Sequence, residues 1–171
     1  MAREEATDAG HGLMPTMALL RAPESRYTGI DVSPFALARI RELAVRNHID
    51  GERLQLALAD ATQGAPPALT RPASRGWTCG LCCEVLEHVR EPDAILDTLR
   101  DALEPGARAF VTTVANIEAE DHVHLFRDAD EIRSLLEAQG FRIEKDLELP
   151  LAGFESADCV PLNYAAIAAR R

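Results

Sequence analysis

The sequence predicts an α/β fold in which a mostly parallel, twisted sheet carries helices on both faces. Three observations lead to this prediction. Short apolar or β-branched segments alternate with segments of helical periodicity, without any repeat longer than one such unit. The chain has 171 residues, of which 47% are hydrophobic, which is enough for one substantial core and too little for two. Acidic residues follow several strand-like segments, at the sheet edge where such folds bind ligands.

The first half of the chain predicts two strands that are separated by a helix. Residues 26–32 (RYTGIDV) and 53–60 (RLQLALAD) have strand composition, and each contains an acidic residue at its end. Residues 33–48 (SPFALARIRELAVRNH) predict a helix with Ser33 as N-cap and Pro34 at the first helical position. The apolar positions of this helix share one face: Leu37, Ile40 and Ala44.

The second half of the chain continues the alternation. Strands are predicted at residues 77–86, 108–116, 141–149 and 163–170. Helices are predicted at residues 91–106, which end with a Pro-Gly stop, and at residues 128–140. In the second of these helices, Asp128 and Glu131 have the spacing of a capping box, and Gly140 can close the C-terminus.

Composition limits the domain organisation and the kinds of partner. We expect a single domain over residues 1–171, with an irregular N-terminus at 1–9 and a Pro-rich loop at 63–76. The formal net charge of -10, without a Lys/Arg cluster, repels polyphosphates and makes nucleic acid an improbable partner. No apolar run approaches the roughly 20 residues that span a bilayer, and the N-terminus lacks the features of a signal peptide. We therefore expect a cytoplasmic protein without a membrane partner.

Acidic residues at three strand ends indicate a nucleoside-binding site. Asp31 follows YTGI, Asp60 follows LQLALA, and Glu84 follows CGLCC. A carboxylate at such a position can accept hydrogen bonds from both hydroxyls of a ribose. Helix capping alone would explain Asp31, but it would not require a matching acid at position 60. About 20 residues before Asp31, Gly10 and Gly12 predict a glycine turn that opens a short helix, whose amides can face an anionic group.

These segments resemble the class I S-adenosylmethionine-dependent methyltransferases over about residues 10 to 170. DAGHG is similar to the family's glycine motif, YTGIDVSP to its second-strand motif and LALADAT to its third-strand motif. The strongest resemblance is that of CCEVLEHVREPDAILDTLRDALEPGARAFVTT to the fourth strand, the next helix and the Pro-Gly turn into the fifth strand. HLF followed by EIRSLLEAQGF is similar to a segment of small-molecule and ubiquinone-pathway members.

The resemblance implies a Rossmann-like fold with an antiparallel last strand, S-adenosyl-L-methionine as cofactor, and methyl transfer to an oxygen or nitrogen of a small molecule. The implied cofactor-binding residues are Gly10, Gly12, Asp31, Val32, Asp60, Ala61 and Glu84. The glycines would approach the methionine part, and Asp31, with Val32 beside it, would bind the ribose. Asp60 and Ala61 would contact adenine, and Glu84 would lie beside the sulfonium.

Histidines are the candidate catalytic residues. The methyl group of a sulfonium is intrinsically electrophilic, so the enzyme mainly has to hold the acceptor in line. A base helps when the acceptor is a hydroxyl or a protonated amine, and His88 and His124 are the candidates, since imidazoles titrate near neutral pH. The alternative for each is a purely structural hydrogen bond to the backbone. His122 is a weaker candidate.

The string E-x-x-E-H, formed by Glu84, Glu87 and His88, raises a metal alternative. With a later histidine such as His124, it resembles the divalent-metal set of small-RNA 3′-terminal 2′-O-methyltransferases. Two carboxylates and two imidazoles suit Mg²⁺, Mn²⁺ or similar ions. The same string is frequent in metal-free methyltransferases, so no metal is assigned, and an RNA methyltransferase is the lesser alternative function.

The family's first strand has no apolar counterpart in this sequence. That strand precedes the glycine turn, where this chain has AREEAT at residues 2–7. A parallel sheet buries a central strand on both faces, so Arg3, Glu4 and Glu5 would place charge in the core. We therefore expect the strand to come from a partner protein, a second copy of the chain or upstream sequence, as part of a homo- or hetero-oligomer. The alternative function is a non-catalytic partner subunit that completes a second chain.

Overall fold

A computed structural model of the chain describes residues 12–66, 76–151 and 160–171. The chain divides into two compact units, Met1–Thr70 and Arg71–Arg171. The predictions for residues 1–9, for Gly10 and for most of the 63–76 loop lie outside the described residues. The expectation of a single domain stays a prediction.

The described residues of the first unit form two α-helices and a parallel two-stranded sheet. Its elements are α1 (Leu13–Arg21), β1 (Tyr27–Asp31), α2 (Pro34–Arg46) and β2 (Leu54–Leu58). The strands pair with Asp31 opposite Leu58, so both end at the same edge of the sheet. As predicted, Ser33 caps α2, because its Oγ accepts a hydrogen bond of 3.2 Å from the Ala36 N–H. The predicted apolar face of α2 is buried: Leu37, Ile40 and Ala44.

Arg53 joins the start of β2 to the end of α1. Its guanidinium donates to the carbonyls of Leu19 at 2.8 Å and Ala22 at 2.9 Å, and its Nε donates to Ser25 at 2.9 Å. The Leu19 carbonyl needs an external donor, because the residue four positions later is Pro23, which has no N–H. These bonds fix α1 relative to the parallel strands.

The second unit contains a four-stranded mixed sheet with strand order β3-β4-β6-β5 and two helices. Its elements are β3 (Trp77–Cys83), α3 (Pro92–Ala102), β4 (Leu103–Ala115), α4 (Ala129–Ala138), β5 (Phe141–Pro150) and β6 (Leu162–Arg170). Strand β3 is parallel to β4, and β6 is antiparallel to both β4 and β5. This pairing confirms the expected α/β class and the antiparallel last strand.

Local sequence signals predict the start of α4 but not the end of α3. Asp128 caps α4 as predicted, since its Oδ1 accepts a 2.8 Å hydrogen bond from the Glu131 N–H. The predicted helix over 91–106 was too long, because β4 already begins at Leu103 and contains the Pro-Gly pair. Leu103 is buried and pairs with Trp77 of β3, a long-range contact that ends the helix.

Within the described ranges, β1 pairs only with β2, and β3 pairs only with β4. Each therefore has one edge without a strand partner there. The expectation that a first strand is missing concerns residues outside the described ranges and stays a prediction. No helix in the described part of the chain has the length and apolar content needed to cross a bilayer.

Candidate active site

The predicted glycine turn leads into α1 at Gly12. This residue is the N-cap of the helix and has a positive φ of 69°. A Cβ at this position would lie 3.0 Å from Leu43 Cδ1 and 3.1 Å from Ile40 Cα. Backbone conformation and lack of space therefore both require glycine. Because the first amides of a helix lack intrahelical acceptors, the start of α1 can receive an anionic or carbonyl group.

Asp31 ends β1, and its side chain is held in place. Its residue exposure is 9%, and its Oδ1 accepts a 2.7 Å hydrogen bond from the Ser33 N–H. Burial raises the pKa of the Asp31 carboxyl, and the hydrogen bond from Ser33 partly opposes that rise. A carboxylate has about four lone-pair positions, so this arrangement leaves acceptor capacity for hydroxyl groups. Its proposed contact with a ribose stays a prediction.

Asp60 lies two residues beyond the end of β2 and caps a 3₁₀ turn. Its Oδ1 accepts hydrogen bonds from the Thr62 hydroxyl at 2.7 Å and from the Thr62 N–H at 2.9 Å. The bond from the hydroxyl, followed by that from the N–H, lowers the pKa of Asp60. The structure thus gives Asp60 a capping role at the turn that begins with Ala61. The predicted adenine contacts of Asp60 and Ala61 stay predictions.

Large apolar side chains are exposed near the carboxyl ends of β1 and β2. Val32 is a cofactor-binding residue in the sequence analysis, whereas Phe35, which is 76% exposed, and Leu58 were not singled out there. Phe35 lies in the first turn of α2, off the buried face that contains Leu37. Exposed apolar side chains at a strand end provide a surface on which a planar base can pack. In the sequence, Phe35 is a large apolar residue outside the helical spacing of Leu37, Ile40 and Ala44, and that position could have indicated its exposure.

Glu84 follows β3 and has a left-handed backbone conformation. Its φ is 52°, which is uncommon for a residue other than glycine. Its N–H donates to the Thr112 carbonyl at 3.0 Å, which holds it beside β4. Such conformations concentrate at functional positions. Its predicted place beside the sulfonium remains untested.

Glu87, His88 and His122 form a compact cluster in the second unit. One potential ligand atom of each lies within 4.8 Å of the corresponding atoms of the other two. Glu87 is only 1% exposed, and its Oε2 accepts a 2.6 Å hydrogen bond from the Thr113 hydroxyl. Its other oxygen, Oε1, lies 3.9 Å from His88 Nε2. The imidazole rings of His88 and His122 meet edge to face, with centroids 5.1 Å apart.

The two ring nitrogens of His88 have different surroundings. Nδ1 lies 3.0 Å from the backbone carbonyl of Asp121 and 3.5 Å from that residue's Oδ2. A carbonyl oxygen can only accept, so Nδ1 carries the proton and a neutral His88 has its lone pair on Nε2. This arrangement orients the imidazole and leaves Nε2 able to act as a base or a ligand.

The described contacts of His124 are with the Glu87 backbone and the Phe126 ring, whereas the sequence suggested a place beside His88. Its backbone N–H donates to the Glu87 carbonyl at 3.0 Å, and its ring packs against Phe126 with a centroid distance of 4.4 Å. The described residues place His122, and neither Glu84 nor His124, in the cluster with His88. The metal alternative therefore needs a corrected residue set. The catalytic role of His124 stays a prediction.

Comparison with known proteins identifies a family and a fold. A family model described as a methyltransferase domain matches residues 8–109. No curated protein matches the sequence. Several solved structures have TM-scores of 0.65 to 0.72 with this chain at identities of 20% or less, and this similarity shows a shared fold, the Rossmann-like α/β fold of the methyltransferases.

Three of these structures illustrate the range of TM-scores, identities and chain coverage. The [4+2]-cyclase SpnF has a TM-score of 0.70 at 16% identity, over 93% of this chain and 71% of that chain. Mitomycin 7-O-methyltransferase MmcR has a TM-score of 0.68 at 20% identity, over 95% of this chain and 47% of that chain. The pyocyanin biosynthetic protein PhzM has a TM-score of 0.65 at 20% identity, over 95% and 48%. The chain thus spans about half the length of the latter two proteins.

Proposed function

Because the chain belongs to the methyltransferase domain family, we propose that it transfers a methyl group to an oxygen or nitrogen atom of a small molecule. The methyl donor is S-adenosyl-L-methionine. When bound, this cofactor supplies an electrophilic methyl group on a sulfonium. The structural similarity to MmcR, a mitomycin 7-O-methyltransferase, supports oxygen as acceptor, and the net charge of -10 disfavours a polyanionic substrate.

The observation that carries the proposal is the fit of the first unit to the cofactor. Gly12 is the N-cap of α1 and has a positive φ of 69°, so a tight glycine turn leads into the free amides of the first helical turn. Asp31 is a mostly buried carboxylate that is fixed at a strand end by Ser33. A glycine turn at a helix N-terminus and an oriented carboxylate acceptor suit a nucleoside that carries a charged amino-acid tail.

His88 is the residue we propose for proton transfer. Its Nε2 lone pair can accept a proton from a hydroxyl or ammonium acceptor, because Nδ1–H is committed to the Asp121 carbonyl. The imidazolium that results would be stabilised by the Asp121 carboxylate, 3.5 Å from Nδ1, and by Glu87 Oε1, 3.9 Å from Nε2. His124 is the second candidate for this role.

A partner subunit without catalytic activity is the alternative. It is supported by the unpaired edges of β1 and β3 in the described ranges and by the charged sequence at residues 2–7. In that case the chain would complete a second protein, and cofactor binding would require the complex.

Titration calorimetry of the purified chain separates these two functions. We expect saturable binding of both S-adenosylmethionine and S-adenosylhomocysteine to the isolated chain. A folded chain that binds neither compound would contradict the enzyme proposal and favour the partner subunit. Methyl transfer from labelled cofactor to panels of phenolic and amine acceptors then tests the acceptor class.

A further inference from the structure

We propose that Glu87, His88 and His122 bind a divalent transition-metal cation. Their ligand atoms lie within 4.8 Å of one another, and they combine one carboxylate with two imidazoles. Donors that share one ion are roughly 3 to 4 Å apart, given metal–ligand distances of about 2.1 Å. A contraction of roughly 1 Å, within the reach of side-chain rotation, would bring the three residues onto one ion.

The hydrogen bonds of the two imidazoles prepare their other nitrogens for a cation. His88 Nδ1 donates to the Asp121 carbonyl at 3.0 Å, and His122 Nδ1 donates to the Ile117 carbonyl at 2.8 Å. In both rings the proton is therefore on Nδ1, and the lone pair of the neutral ring is on Nε2. Metal-binding histidines almost always donate their other N–H to a carbonyl or carboxylate in this way.

The burial of Glu87 is an independent observation that points to a cation. A carboxyl group that is 1% exposed has lost its water and needs polar or charged partners within the protein. Its Oε2 has the Thr113 hydroxyl, which is neutral, and its Oε1 is beyond hydrogen-bond distance from His88 Nε2 at 3.9 Å. A cation between Oε1 and the imidazoles would neutralise the carboxylate, and Thr113 would orient it.

The ligand set also selects the kind of ion. Two of the three donors are imidazole nitrogens, which suit Mn²⁺, Fe²⁺, Co²⁺ and Zn²⁺, whereas Mg²⁺ and Ca²⁺ prefer oxygen donors. Three protein ligands leave coordination positions open, as in catalytic metal sites. An oxygen of the methyl acceptor could occupy one of them. That last role rests on the proposed function, while metal binding itself does not. His88 Nε2 has one lone pair, so His88 would act as the base in the metal-free chain and as a ligand when the ion is bound.

The first test is a Co²⁺ titration of the full chain after chelation and dialysis, followed by visible absorption and calorimetry. We expect a stoichiometric d–d absorption spectrum, competition by Zn²⁺ and Mn²⁺, and at least about tenfold weaker binding of Mg²⁺. Absence of a Co²⁺ spectrum, or equal binding of Mg²⁺, would overturn the proposal.

Variants test the ligand set. His122→Ala and Glu87→Gln should each weaken Co²⁺ binding by more than about 100-fold, and Thr113→Val should weaken it by roughly 10-fold through lost orientation of Glu87. The matched control is His124→Ala, two residues from His122, which should bind Co²⁺ like the parent. Far-UV circular dichroism verifies that each variant is folded. The proposal fails if folded His122→Ala binds normally or if His124→Ala loses binding. Titration of metal-free protein with S-adenosylhomocysteine tests the proposed function separately.

Discussion

Replacing Asp31 by asparagine should weaken cofactor binding while leaving the fold intact. The amide oxygen of asparagine can still accept the hydrogen bond from the Ser33 N–H, which is 2.7 Å long in the parent. The change removes only the charge of the acceptor. Hydrogen bonds to charged groups contribute about 1.5–3 kcal/mol and neutral ones about 0.5–1.5 kcal/mol, a difference of about 1–2 kcal/mol. We therefore expect roughly 5- to 30-fold weaker binding of S-adenosylhomocysteine.

The same substitution should raise the stability of the folded chain or leave it unchanged. Burial raises the pKa of the Asp31 carboxyl in the folded chain above its value in the unfolded chain. Its contribution to stability is therefore present at low pH and is lost as the pH rises through the folded-state pKa. At pH 7 the ionised carboxylate is therefore less favourable in the folded chain than in the unfolded chain. Asp31→Asn should thus unfold at the parent temperature or above it.

Calorimetric titration and thermal unfolding measure these two effects. Asp50→Asn is the matched control, because Asp50 Oδ1 also accepts an N–H two residues ahead, that of Glu52 at 2.9 Å, but is exposed. This control should bind the cofactor like the parent. If Asp31→Asn binds within about twofold of the parent and unfolds normally, the assignment of Asp31 to the ribose is wrong.

Two substitutions and one measurement on the parent chain test other parts of the structure. Gly12→Ala should destabilise the chain by about 1–3 kcal/mol in denaturant unfolding, because it combines a positive φ with contacts near 3.0 Å. Gly51→Ala should not destabilise the chain, because the space around Gly51 is open. Equal stability of the two variants would contradict the crowding at Gly12. His88→Ala should lower turnover by roughly 100-fold or more with little change in thermal unfolding. Unfolding of this variant with normal activity per folded molecule would make His88 structural. Light scattering and hydrogen exchange should show an oligomer in which β1 and β3 are protected, and a monomer with both strands fully protected would exclude a strand supplied by another chain.

Local chemistry was sufficient to predict most of the elements. The N-caps Ser33 and Asp128 act on amides three residues away, and the buried face of α2 follows from helical spacing. Strand composition located the six strands of the described ranges, and the acids at three strand ends suggested a nucleoside site. The comparisons support this interpretation at the level of family and fold. These features were predictable because each depends on residues close in sequence.

The composition of the histidine cluster was decided only by tertiary structure. His122 and His124 lie two residues apart in the connection between β4 and α4, and nothing in their spacing selects one of them. The Glu87 carbonyl accepts hydrogen bonds from the N–H groups of Val123 and His124, and the Ile117 carbonyl accepts from His122 Nδ1. These contacts place the His122 ring against His88 and the His124 ring against Phe126. The bonds to the Glu87 carbonyl join backbone groups more than 30 residues apart, and such pairings have no signature in local sequence.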